Sequence, residues 1–301
     1  MKILMSGVTG LIGRTLSQKL KTDGHSIIGL SRSPEKAGNL PVEAMRQWNP
    51  EAGAPPSAAF EGVAAVIHLA GEPVAEGRWT DERKRRIRDS RIISTRNLVE
   101  AMRQLPAPPR VFVAGSAVGL YGNRGDEELT EDAKPGTDFL SQVCIEWEAE
   151  ANRAREFDVR TVEVRTGVVL AKDGGALPKM LPPFKLGIAG PLGDGRQYFP
   201  WVHLDDIVGL FEFALTNEAL NRPINGSAPE PVTNSQFTKQ LAAAIHRVAI
   251  FPMPAFALKL LFGEMATVLL ASQRVVPKAA LDAGYHFNYP DLKSALNNLI
   301  E

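Results

Sequence analysis

Lys2-Ile-Leu-Met-Ser-Gly7-Val-Thr-Gly10-Leu-Ile-Gly13 reads as a short buried strand that turns through three glycines into a helix. Ile3, Leu4 and Met5 supply the strand, and Leu11, Ile12, Leu16 and Leu20 recur at helical spacing after the turn. Glycine lets the backbone turn tightly and lets a bulky anion approach, while the free N–H groups and positive dipole end of the helix attract negative charge. The stretch is therefore read as a dinucleotide pyrophosphate site made by Gly7, Thr9, Gly10, Leu11, Ile12 and Gly13. Its glycines follow G-x-x-G-x-x-G rather than the commoner G-x-G-x-x-G, so the strand before and the helix after carry as much weight as the spacing.

Outward from this turn, strands alternate with helices. A second strand covers 26–30 and ends in the polar turn Ser31-Arg32-Ser33-Pro34; a third lies near Met45 to Trp48. Val63-Ala-Ala-Val-Ile-His-Leu69 is a continuous apolar run of the kind buried in a parallel sheet, with Gly71 just beyond it. A helix from about Thr80 to Gln104 is stopped by Pro106-Ala-Pro-Pro109. Strand Val111-Phe-Val-Ala114 opens into Gly115-Ser116-Ala117, a helix runs from about Phe139 to Glu156, and strand Thr161–Val164 follows.

This rhythm predicts an α/β, Rossmann-like, doubly wound parallel sheet. Ligands of such sheets sit beyond the carboxyl ends of the strands, where Gly7, Arg32, Gly71, Ser116 and Arg165 fall. From about Gly174 prolines and glycines make the pattern irregular, as in a substrate-side insertion. A strand and helix return over Trp201–Leu215, another strand at Ile224–Ser227, and a helical tail runs from Asn234. The expected division is a dinucleotide-binding domain over 1–173, also receiving 200–227, and a smaller, mainly helical substrate-side region over 174–301 with its tail from about 250.

The chain has 301 residues and balances 34 Lys and Arg against 34 Asp and Glu, so nothing global points to nucleic acid or an anionic membrane. A lone Cys144 excludes an internal disulfide and a thiolate zinc cluster and fits a reducing compartment. The apolar start ends at the glycine turn, which does not read as a secretory signal, and Phe256–Ala271 is broken by Lys259 and Glu264. The expectation is a soluble, cytoplasmic protein with a small-molecule substrate and no resident metal.

Taken together, Gly7/Gly10/Gly13, His68-Leu69-Ala70-Gly71, Ser94-Thr95-Arg96-Asn97-Leu98 and Gly193-Asp194-Gly195 leading to Trp201-Val-His-Leu-Asp-Asp206 resemble the extended short-chain dehydrogenase/reductases, in their NAD(P)-dependent epimerase/dehydratase branch. The tail, with Pro252-Met-Pro-Ala-Phe-Ala-Leu258, Gly263-Glu-Met-Ala266 and Ser272-Gln-Arg-Val275, resembles an atypical subgroup, the cell-division-inhibitor-like sugar epimerases, which carry an extra C-terminal domain of unknown function. The resemblance implies that Leu69, Ala70 and Gly71 line the cofactor.

A free ribose 2′-hydroxyl is usually met by an acid at the end of the second strand. This chain has Ser31, Arg32 and Ser33 there, a guanidinium between two hydroxyls, which suits a 2′-phosphate and predicts NADP(H). The other reading is a solvated turn with Ser33 capping a helix at Pro34. Trp48 is either an adenine platform or core.

The resemblance also implies a Tyr-x-x-x-Lys pair, which is missing: Leu140 stands at the tyrosine and Cys144 at the lysine. Ser116 is the nearest polarising hydroxyl, or else a serine bonded to strand-end backbone, and Cys144 is a soft nucleophile or a small buried hydrophobe. Tyr121 matches a pocket-shaping tyrosine. Phe199 and Val168 replace groups that hold a nucleotide-sugar diphosphate, so a smaller substrate is expected, with Arg196 and Gln197 nearby. His203, Asp205 and Asp206 read as loop-ordering and capping groups. Two functions stand: an NADP(H)-dependent oxidoreductase or epimerase-like enzyme on a small carbonyl or alcohol, and an NADP(H)-binding sensor or scaffold without turnover. So basic a segment as Arg78–Arg96 leaves both monomer and homodimer open.

Overall fold

A computed structural model describes residues 1–300, the side chain of Lys36 excepted; Glu301, the last residue of the expected substrate-side region, lies outside the described residues. Seven parallel strands form the central sheet: β1 (Lys2–Ser6), β2 (Ser26–Ser31), β3 (Ala44–Gln47), β4 (Ala65–His68), β5 (Val111–Ala117), β6 (Arg160–Thr166) and β7 (Ile224–Gly226). Their order is β3-β2-β1-β4-β5-β6-β7. The winding reverses between β1 and β4, and the crevice at that switch point is where a doubly wound sheet takes its ligand.

Alternation along the strands separates two cores. Ile3, Met5, Ile67, Val113, Val162 and Val164 face α1 (Leu11–Thr22) and α5 (Leu204–Thr216), which add Leu16, Leu20, Ile207 and Phe211, whereas α4 (Leu177–Lys185) packs in a separate cluster with Trp201 and Phe237. Leu4, Val66, Phe112 and Ala114 face α2 (Asp81–Arg103) and α3 (Phe139–Asn152), which add Leu98, Met102 and Ala151. Thr80 caps α2 and Asp138 caps α3, each accepting a first-turn amide. The basic face of α2 is largely neutralised by neighbouring acids: Arg88 meets Glu146 at 2.6 Å, Arg96 meets Glu150 at 2.6 Å and Arg83 meets Glu72 at 2.6 Å.

Strand limits differ from the sequence reading by a residue or two, and β5 and β6 are longer because they pair with each other over their full length. The expected helical tail is corrected. It is broken into α6 (Asn234–Ala244), α7 (Ala255–Phe262), α8 (Ala266–Leu270), α9 (Lys278–Asp282) and α10 (Leu292–Ile300), with a short strand, Arg274–Val275, paired to Glu128–Leu129. Pro252, Pro254, Gly263, Pro277 and Gly284 interrupt a pattern that apolar periodicity alone would continue.

That tail runs across the carboxyl end of the sheet. Met253 exchanges backbone bonds with Pro191 and Gly193, each 2.9 Å. Arg78, ahead of α2, then donates to the carbonyls of Leu260 and Leu261, and Lys84 meets Glu264 at 2.9 Å. Farther on, Ser272 donates to the Gly125 carbonyl at 2.6 Å and Gln273 to that of Val118 at 3.0 Å. The tail thus ties the segments that follow β4 and β5 to the 191–193 stretch. Among the described residues no helix is long and apolar enough to cross a membrane.

Beneath α3 lies a buried acid that sequence reading passed over. Glu163 on β6 is fully buried, neither carboxylate oxygen has a hydrogen-bond partner, and Arg155 Nη2 is 3.7 Å away. Burial, with a smaller push from Glu148, raises its pKa to about 7. A raised carboxylate costs nothing at low pH and opposes folding as pH rises from the unfolded value, near 4.5, through 7. Glu163→Gln is therefore expected to raise the melting temperature at pH 8, by a stability of up to about 3 kcal/mol, and to change little at pH 5. Melts at the two pH values decide it: an equal shift at both would contradict the burial argument.

Candidate functional site

The glycine turn follows β1 directly. Gly7 has φ +70°, and a Cβ there would stand 2.6 Å from the Leu69 carbonyl carbon and 2.8 Å from the Ala70 nitrogen. The turn is closed by Gly10 N–H donating to the Gly7 carbonyl at 3.0 Å. A Cβ on Gly13 would drive into that same carbonyl, so α1 sits as near the turn as backbone allows. The first-turn amides of Leu11, Ile12 and Gly13 have no carbonyl partner in the helix and point out at its N-terminus. Thr9 and Gly10 are exposed on the rim. Leu11 also packs against Gly174, which brings the substrate-side segment onto the rim of the turn. These residues fit a pyrophosphate: donors, helix dipole and absent side chains converge.

Behind the turn a hydrogen-bond chain fixes the strip Leu69-Ala70-Gly71. Ser94 Oγ donates to the Ser90 carbonyl at 2.6 Å, so it accepts from His68 Nε2 at 3.1 Å; Nδ1 of His68 then accepts from Ser6 Oγ at 2.5 Å. Ser6 Oγ in turn faces the Ala70 amide at 3.4 Å. Burial lowers the His68 pKa to about 3, so the ring is neutral and the direction of the chain is set.

At the end of β2, Arg32 is exposed and lines an open cleft of about 490 Å3 with Asn49, Glu51, Ala52, Glu72 and Arg86. Ser31 Oγ accepts the Ser33 amide at 3.1 Å, which shapes the turn that presents the guanidinium. Ser33 makes no side-chain cap to the helical turn at Pro34. A larger groove, of about 1120 Å3, lies between α6 and α10 and includes Gln240, His246, Leu292 and Leu296. It touches no strand of the central sheet, so chemistry rather than size places the site at the sheet. Trp48 is corrected: it is 4 % exposed, packs in the core with Leu98 and Phe60, and donates its indole N–H to the Gly53 carbonyl at 2.8 Å. It has no face to offer an adenine.

Three further expectations meet a buried network. Arg165 is gripped by Glu148 through two bonds of 2.9 Å each, and its Nη1 donates to Tyr121 Oη and to the Glu131 carbonyl, each 2.9 Å. At 7 % exposure it is an anchor of the fold and not a cofactor contact. Burial works against its charge, but Glu148 more than offsets this and holds the guanidinium firmly protonated. Ser116 is 3 % exposed and donates to Glu148 Oε1 at 2.6 Å; it points under α3, on the same face of the sheet as Phe112 and Ala114. Its hydroxyl is spent there, so it does not polarise a substrate oxygen. Cys144 is 4 % exposed against the Ala117 carbonyl, and burial, reinforced by Glu148, pushes its thiol up to about 12. It packs as a small hydrophobe beside Gly119 and Leu140 and is no nucleophile.

Tyr121 is fully buried, donates to Asn225 Oδ1 at 2.6 Å, and is pushed to about 12 by burial. Glu131 then accepts the Asn225 and Ala279 amides at 2.8 and 3.0 Å, which joins this network to the tail. Among the described residues no cluster of three metal-ligating side chains forms. His203 Nδ1 accepts the Asp205 amide at 3.0 Å and caps α5, whereas Asp206 accepts the amides of Asn288 and Tyr289 at 2.7 and 3.0 Å, a long-range clamp instead of a local cap. Gln197 is buried, with Nε2 on the carbonyls of Leu192 and Leu269. Sequence reading missed Glu148, Glu131 and Asn225 as partners; the one visible signal was an acid turned toward the sheet on α3.

Residues 3–225 match the NAD dependent epimerase/dehydratase family, and residues 253–299 match the domain of unknown function DUF1731. The chain is 41% identical over its full length to the chloroplastic epimerase family protein SDR39U1 homolog of Arabidopsis thaliana, 87% of which is covered. It is 36% identical to the epimerase family protein YfhF of Bacillus subtilis, covering 100% of this chain and 98% of that one. Among solved structures, human epimerase family protein SDR39U1 (isoform 2) with NADPH superposes with a TM-score of 0.89 at 34% identity, covering 100% of this chain and 99% of that one. A nucleoside-diphosphate sugar epimerase from Corynebacterium glutamicum gives 0.81 at 33% identity, with 100% of this chain and 58% of that one covered. With the glycine cradle, the strand order and these full-length matches in agreement, the chain belongs to the NAD dependent epimerase/dehydratase family, among its SDR39U1-like members with a DUF1731 C-terminal region.

Proposed function

We propose that this protein binds NADP(H) across the switch point and acts as an oxidoreductase or epimerase-like enzyme on a small carbonyl or alcohol. The observation that carries the reading is the cradle itself, in which Gly7 and Gly13 leave room only for backbone and ligand. Gly7 to Gly13 hold the pyrophosphate, Leu69 to Gly71 flank it, and Ser31, Arg32 and Ser33 meet the 2′-phosphate. The full-length likeness to a protein solved with NADPH supports the choice of dinucleotide.

When bound, NADP(H) supplies the hydride chemistry at its nicotinamide ring. The chain orients and encloses. Leu140 and Cys144 form an apolar wall beside Gly119 where relatives of the wider superfamily place tyrosine and lysine, and Tyr121 and Ser116 keep their protons in the buried network. The tail excludes bulk solvent by holding the 78–84 and 189–193 segments together.

Titration of the protein with NADPH and NADH tests the cofactor, and NADPH oxidation against a panel of carbonyl compounds tests turnover. NADPH is expected to bind more tightly than NADH. Arg32→Ala is expected to weaken NADPH by about tenfold, the worth of one charge-assisted contact, and to leave NADH unchanged. Equal affinities, or an unaffected variant, would remove the 2′-phosphate role. Tight NADPH binding without turnover across the panel would replace the enzyme with a sensor.

A further inference from the structure

Most cations of the α2 segment have an acidic partner, and Arg91 does not. Arg83 and Arg86 share Glu72, Lys84 takes Glu264, and Arg88 and Arg96 take Glu146 and Glu150. Arg91 Nη1 donates only to the Ile87 carbonyl of its own helix, at 2.9 Å. Among the described residues, its Nε and Nη2 make no hydrogen bond and no carboxylate reaches ion-pair distance.

The side chain is half-buried. It lies 5.3 Å above the Trp147 ring, and a Cβ on Gly71 would stand 3.4 Å from its Cζ and 3.5 Å from Nη2. Trp147 is itself fixed, donating to Thr95 Oγ1 at 2.9 Å and packing under Gly115. The charge therefore spans the gap between the carboxyl ends of β4 and β5. Its electrostatic neighbours are Cys144, Glu72 and Arg83, and burial pulls its pKa down. Cys144 stands where the wider superfamily has a lysine. A half-buried cation with no carboxylate at ion-pair distance keeps its donors open to an anion arriving in the cleft.

We propose that Arg91 binds the nicotinamide-side phosphate and ribose of the dinucleotide, supplying from α2 the positive charge that α3 lacks at position 144. The inference rests on the reading that this cleft takes NADP(H). A dinucleotide whose pyrophosphate lay on the Gly7–Gly13 turn and ran past Gly71 toward β5 would meet the guanidinium of Arg91, which stands beside Gly71. Trp147 holds the guanidinium plane for bidentate donation.

Binding of two ligands to wild type, Arg91→Met and Arg91→Lys, measured by calorimetry, tests this without reference to turnover. Adenosine 2′,5′-bisphosphate carries the adenosine half alone, and NADPH carries both halves. Arg91→Met is expected to lose about tenfold in NADPH affinity and to bind the bisphosphate as wild type does. Arg91→Lys keeps the charge but not the fork, and is expected to fall between them on NADPH; it serves alone if the methionine variant does not fold. Unchanged NADPH affinity, or a parallel loss for both ligands, would overturn the role of Arg91. Failure of wild type to bind NADPH would instead overturn the parent reading.

Discussion

Gly13→Ala is expected to lower NADPH affinity by about 100-fold or more, about 3 kcal/mol, while leaving the helix content intact. Alanine is the best helix former, so the substitution favours α1 taken alone. The loss comes from position. The added Cβ meets the Gly7 carbonyl oxygen and stands 2.9 Å from both Gly7 C and Val8 Cα, all backbone atoms that no rotamer change can move. The N-terminus of α1 must back away, and the amides of Leu11, Ile12 and Gly13 leave their aim together. Gly10 makes the control, because its Cβ would meet only the Gly7 oxygen, at 3.3 Å. Gly10→Ala should lose much less. Parallel NADPH titrations and far-ultraviolet circular dichroism check both; a Gly13→Ala protein that binds as wild type would remove the cradle from the argument.

Arg165→Leu is expected to cost about 3–5 kcal/mol of stability, seen in denaturant unfolding as a large drop in midpoint. The guanidinium satisfies both Glu148 oxygens, Tyr121 Oη and the Glu131 carbonyl at once. Its removal leaves Glu148 half-buried with only Ser116 as donor. The paired replacement Arg165→Leu with Glu148→Leu removes the stranded charge as well, and should recover a good part of the loss. If the double variant is as unstable as the sum of the singles, the two groups do not act as a pair.

These two sites differ in how they show in sequence. The cradle is local: strand, turn and helix fall within residues 2–22, each glycine has a steric reason, and the motif can be read in one pass. Arg32 is equally local, since its place at the end of β2 follows from the apolar run before it. Arg165 was placed correctly at a strand end and given the wrong task. Its side chain turns under α3 because Ser116 and Arg165 are neighbours in register and Glu148 sits above both, a meeting of β5, β6 and α3 that no spacing encodes. Ser116 was misassigned for the same reason: a one-residue step along β5 changes the face, and the face decides whether a hydroxyl sees substrate or core. Trp48 and Cys144 could be read two ways from composition, and burial chose the plain one. The tail was read as helical from its apolar periodicity, but a two-residue strand such as Arg274–Val275 exists only through its partner.

The grip of Glu131 on the amides of Asn225 and Ala279 bears on how this chain is made. The C-terminal match and the family match look like two modules laid end to end, yet the tail supplies partners to the sheet's last strand, to Tyr121's network and to Asp206. During synthesis, residues up to 226 can emerge with every sheet strand present and still lack those partners, so the nascent sheet waits with an unfinished edge. Swapping the tail between relatives is thus expected to disturb the sheet half too, because the two share one hydrogen-bond network.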